Sequence, residues 1–134
     1  MREEASQFLQ TFIEWAECQA DILGVALVGS HARNEATELS DIDLVIVAIT
    51  PGTYITHTGW AHRFGAIEHQ KIENYGPVTA LRVWYVGGPE VEYGFTNEKW
   101  PAPPIDPGTL TVISNGFQIL FDRAAVLGRL RDAT

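Results

Sequence analysis

One stretch of about two dozen residues constrains this chain more than any other. Val25, Ala26, Leu27 and Val28 form an apolar run that opens onto Gly29-Ser30, and Asp41-Ile42-Asp43 leads a second apolar run that ends near Ile49. A strand that ends in Gly-Ser and turns into a helix offers unpaired backbone N–H groups and a positive dipole end to an anion, and glycine lets a phosphate approach closely. Residues two apart in a strand share a face, so Asp41 and Asp43 project together while Ile42 and Leu44 pack behind them. Two carboxylates on one side of a strand call for a cation. Mg²⁺ suits them, because it takes one or two protein carboxylates and completes its octahedron with water and substrate phosphate. The second run is apolar on both faces, which predicts a central strand over 41–49.

Gly29-Ser30-His31-Ala32-Arg33 followed by Ser40-Asp41-Ile42-Asp43-Leu44 resembles the signature of the DNA polymerase β-like nucleotidyltransferase superfamily, in its minimal type. The resemblance is close over 24–47 and elsewhere extends only to the order of elements. Gly-Ser turns and Asp-x-Asp triplets each occur by chance; strand, Gly-Ser, helix, fixed gap and Asp-x-Asp inside a strand make one joint test. The resemblance implies an α/β (α+β) nucleotidyltransferase fold with a mixed central sheet flanked by helices. It also implies metal-dependent transfer of a nucleoside monophosphate from an NTP, ATP in the first instance, to an acceptor hydroxyl. Two Mg²⁺ ions would be held by Asp41, Asp43 and a third carboxylate on a later strand. Glu92, between Val91 and Tyr93, fits that pattern better than Glu90 beside the turn, but the two share a face and Glu90 stays open. Gly29 and Ser30 would fix the leaving phosphates, with Ser30 also able to cap the following helix. Arg33 either reaches the triphosphate or pairs with Glu35 or Asp41, and Ser40 orients the start of the Asp strand.

With 134 residues the chain suits one domain over 1–134, long enough to bury a core. Its 46% apolar and 19% charged residues are ordinary for a soluble protein. A net charge of −8 with nine dispersed Lys and Arg argues against a polynucleotide partner, which needs clustered cations. An NTP differs, because its metal offsets the site's acids. No run spans a bilayer and Met1-Arg2-Glu3-Glu4 is unlike a signal peptide, so no membrane partner and a cytoplasmic location are expected. Cys18 reads as a small packing residue of the first helix. His31, His57, His62 and His69 lack zinc-ligand spacing. Trp15, Trp60, Trp84 and Trp100 read as core, with Trp60 or Trp100 as a lesser candidate for an acceptor pocket.

Periodicity and punctuation predict an amphipathic helix over 3–20, a strand over 25–28, a short helix over 31–36 and the strand over 41–49, ended by Pro51-Gly52. A helix over 53–64 stops at Gly65, and 68–75 carries no assignable pattern. Strands over 78–86 and 90–96 flank a hairpin at Gly87-Gly88. A Pro-rich connector, a helix from Asp106-Pro107 to near Asn115-Gly116, a strand over 117–121 and a helix over 123–131 follow.

The acceptor is not legible. A small hydroxylated molecule and a tyrosine on a paired helical protein, as in the family's antitoxin members, both fit the resemblance, and a homodimer could complete an acceptor cleft. The rival class is a binding module of this fold that acts on a helical partner without turnover.

Overall fold

A computed structural model describes residues 3–29, 41–100, 107 and 116–128. The apolar positions Ala5, Phe8, Leu9, Phe12 and Ala16 recur at helical spacing, and they form the buried stripe of helix α1 (Glu3–Glu17). The chain then enters β1 (Ile22–Val28) and, after 30–40, β2 (Ile42–Ala48); both are buried almost throughout, as strands covered on both faces must be. Helix α2 (Pro51–Thr56) and a 3-10 helix (Gly59–Phe64) lead to β3 (Ile67–Asn74), β4 (Thr79–Tyr85), β5 (Glu90–Thr96) and β6 (Phe117–Asp122).

The six strands form one mixed sheet in the order β3-β4-β5-β2-β1-β6. β2 pairs parallel with β5, and the other neighbours are antiparallel. The predicted mixed sheet is therefore present, with the Asp-bearing strand near its centre. Alternation divides the side chains between two apolar clusters. Ile42, Leu44 and Ile46 of β2 and Val91, Tyr93 and Phe95 of β5 join the larger cluster with α1. Val45 and Val47 turn the other way, onto Ala26, Val28, Trp100 and Leu127. Asp43 shares that second face.

Phe12 is fully buried in the larger cluster, its ring centroid 5.4 Å from those of Phe64 and Tyr93 and 5.5 Å from that of Trp15. Phe12→Ala leaves a void that these rings cannot refill, and an expected loss of about 3–5 kcal/mol follows. Urea unfolding should show a lower midpoint at an unchanged slope.

Several local expectations are corrected. Pro51-Gly52 begins α2 instead of merely ending the preceding strand, because proline fits the first helical turn where its missing N–H is not needed. The helix expected over 53–64 is two short helices, broken where His57 adopts an extended backbone (φ −120°, ψ 96°). The unassigned stretch 68–75 is edge strand β3; five consecutive exposed residues, 68–72, give it no apolar alternation to read. Cys18 is exposed, one residue beyond α1, and not a packing residue. Trp60 stacks on Trp15 at 5.5 Å within the larger cluster and Trp100 is buried in the smaller one, so both serve as core. The last segment starts as a 3-10 turn (Arg123–Ala125) rather than an α-helix. The helix expected over 31–36 lies outside the described residues, as do most of the one expected from Asp106 and the end of the last.

Candidate active site

The parallel register of β2 and β5 sets Asp43 beside Glu92, and the hairpin register of β4 and β5 sets Arg82 on the other side of Glu92. Asp43, Glu92 and Arg82 thus form a row across three adjacent strands on the sheet face opposite α1. Asp41 precedes Asp43 by two residues and joins them from the start of β2. Ligand oxygens of Asp41, Asp43 and Glu92 all lie within 4.8 Å of one another. Among the described residues this is the group of acids with the spacing of a metal site. Glu90 does not belong to it; its carboxylate hydrogen-bonds Arg82.

Asp43 is the strained member. Its Oδ1 is buried with no hydrogen-bond partner among the described residues. Burial first, then the charge of Asp41 and the contacts with Asp41 and Glu92, push the Asp43 carboxyl up to about 9. Two unit charges 4 Å apart repel by about 4 kcal/mol at an effective dielectric of 20, so three acids this close cannot all stay ionised without a cation. A divalent ion fits the donor set: three carboxylates, one with an orphaned oxygen, are hard ligands of the kind Mg²⁺ takes.

Gly29 borders the same carboxylate. Its φ is +76°, and a Cβ there would stand 2.7 Å from Asp43 Oδ2. The glycine at the end of β1 is thus required both by backbone conformation and by the close approach of Asp43. Ser30, Arg33 and Ser40 lie outside the described residues.

Arg82, which no sequence motif singles out, is the cation at this cluster among the described residues. Its guanidinium donates to Asp41 Oδ2 at 3.0 Å and Glu73 Oε1 at 2.7 Å, lies 3.1 Å from Glu92 Oε2, and also donates to Glu90. Burial works against its charge, but Glu73, Glu90 and Glu92 outweigh that and raise its pKa. Contact with Arg82 and with the Tyr75 hydroxyl, 2.9 Å away, lowers that of Glu73. A signal existed: a lone arginine between Leu81 and Val83 in a strand otherwise apolar on that segment, which the Gly87-Gly88 hairpin places opposite Glu92.

The nucleotidyltransferase domain family matches residues 9–78, just over half of the chain. The chain belongs to that family. In fold it is similar to an aminoglycoside 6-adenyltransferase from Bacillus subtilis, with a TM-score of 0.57 at 14% identity. That alignment covers 72% of this chain and 36% of the other, so the chain spans little more than a third of that protein's length. No curated protein sequence matches it significantly. The family is one of nucleotidyltransferase domains, and no described helix is long and apolar enough to cross a membrane.

Proposed function

We propose that the chain is a metal-dependent nucleotidyltransferase that moves a nucleoside monophosphate from an NTP to an acceptor hydroxyl. The convergence of Asp41, Asp43 and Glu92 on a space that leaves Asp43 Oδ1 without a partner carries this reading. Divalent ions, two Mg²⁺ in the family's usual pattern, would activate the hydroxyl and neutralise charge on the transferring phosphoryl group. Asp41 and Asp43 would hold both ions. Glu92 would complete the site on the acceptor side and take the hydroxyl proton as the new phosphate ester forms and pyrophosphate leaves. Backbone N–H groups at Gly29 and Ser30 would hold the leaving phosphates, with Arg33 as a charge-assisted donor and Ser40 orienting Asp41. The residues mainly position the reactants, and that alone lowers the barrier substantially.

The similarity to an adenyltransferase makes ATP the first donor to try. A small hydroxylated acceptor and a protein acceptor are parallel readings, distinguished by which gains the mass of one nucleotidyl group, a nucleoside monophosphate less water. Calorimetry with ATP should show binding that requires Mg²⁺; nucleotide binding indifferent to the metal, or none, would favour a partner-binding module instead. Glu92→Gln should lose turnover by about a thousandfold, since a metal site supplies several kcal/mol of transition-state stabilisation. Glu90→Gln should lose far less; the reverse order would transfer the third-ligand role to Glu90.

A further inference from the structure

The proposed metal site does not account for Arg82. Two of the four carboxylates it touches, Asp41 at 3.0 Å and Glu92 at 3.1 Å, are proposed metal ligands; the other two, Glu73 and Glu90, are not. The arginine side chain is only 18% exposed, and its place in β4 directly opposite Glu92 fixes its backbone beside the site. A guanidinium presents five donors in a planar fork and keeps its charge at every working pH, so it can serve several carboxylates at once. A divalent ion and Arg82 would therefore draw on the same pair of acids.

We propose that Arg82 is a positioning residue that acts as the resident cation of this acidic face: it holds Asp41 and Glu92 together in the metal-free chain and competes with the divalent ion for them. The inference rests on the reading of Asp41, Asp43 and Glu92 as a metal site. Its two parts have opposite consequences when the charge is removed. Without Arg82, four acids that it now contacts repel one another and the metal-free chain loses stability. The metal, repelled by a neighbouring positive charge twice as strongly as a monovalent ion would be, then binds more tightly. An arginine that served only as scaffolding predicts the other sign, because ligands left to drift would bind metal less well.

The test is Mn²⁺ titration by calorimetry, with thermal unfolding in EDTA, on the wild type, Arg82→Gln, Arg82→Lys and Asp43→Asn. Arg82→Gln should unfold at a lower temperature in EDTA and bind Mn²⁺ about tenfold more tightly, equivalent to about 1.4 kcal/mol. Arg82→Lys retains the charge but not the fork, so it should keep most of the stability, hold Asp41 and Glu92 less well together, and bind Mn²⁺ about two- to three-fold more tightly. Mn²⁺ binding by Arg82→Gln that is unchanged or weaker overturns the proposal. Should Arg82→Gln not fold in EDTA, Arg82→Lys decides in its place, with tighter binding in support and unchanged or weaker binding against. Wild-type chain that binds Mn²⁺ no better than Asp43→Asn would instead overturn the metal-site reading itself and this inference with it.

Discussion

Asp43→Asn is expected to abolish the proposed metal-dependent nucleotidyl transfer and, in the same protein, to raise the stability of the metal-free chain. The first effect follows from removing the proposed metal ligand with the orphaned oxygen; loss of several kcal/mol of charge stabilisation would lower turnover by about a thousandfold or more. The second follows from linkage. An aspartate titrates near 3.8 in the unfolded chain, but burial and the neighbouring acids raise Asp43 to about 9 in the fold. Between those values the folded chain holds a proton that the unfolded chain has released. Stability is therefore fully present below about pH 4 and declines as pH rises toward 9. Asparagine fills the same space without that penalty. The ceiling is about 1.4 kcal/mol per pH unit, and after discounting for partial exposure and screening a gain on the order of 2 kcal/mol near pH 8 is expected. In EDTA the melting temperature of Asp43→Asn should match the wild type near pH 4 and exceed it by roughly 5–10 °C near pH 8. A variant less stable than the wild type across that range would show that the three acids are not crowded as described.

Gly29→Ala is expected to damage the site out of proportion to the fold. A non-glycine residue at φ +76° costs roughly 1–2 kcal/mol, and the new methyl group would meet Asp43 Oδ2 at 2.7 Å. That oxygen ends a short, half-buried side chain with acids on its other side, so relieving the contact moves the proposed ligand itself. Displacement by an ångström can cost about a hundredfold in rate, well beyond what the lost stability explains. Gly76→Ala is the control: φ there is +83°, but nothing lies within 4 Å of an added Cβ. It should lose comparable stability and leave Mn²⁺ affinity unchanged, whereas Gly29→Ala should weaken that affinity by about tenfold or more, as displaced metal-site groups do. Equal metal affinity in the two variants would separate Gly29 from the site.

The features legible in the sequence were those that local periodicity encodes. Phe8 and Phe12 on one face of α1 and the apolar runs of β1 and β2 follow from repeat distances of two or three to four residues, and the hairpin from the Gly87-Gly88 turn pair. The shared face of Asp41 and Asp43 follows from the same rule. Strand β3 was not legible, because an edge strand with Glu68 through Ile72 exposed has no buried face to alternate. The break at His57 was not legible either, since a pair of short helices and one longer helix bury similar apolar positions.

Residue type and short-range spacing by themselves determined the family motif, the central strand and the shared face of its two aspartates. Only tertiary structure decided which later acid would join Asp41 and Asp43, because β2 and β5 meet in parallel across 49 residues of chain and no local pattern carries that register. The same pairing, continued through β4, brought Arg82 against Asp41 and Glu92 and left Asp43 Oδ1 without a partner. Charge crowding is a property of distances in space, and those distances exist only once the strands have aligned.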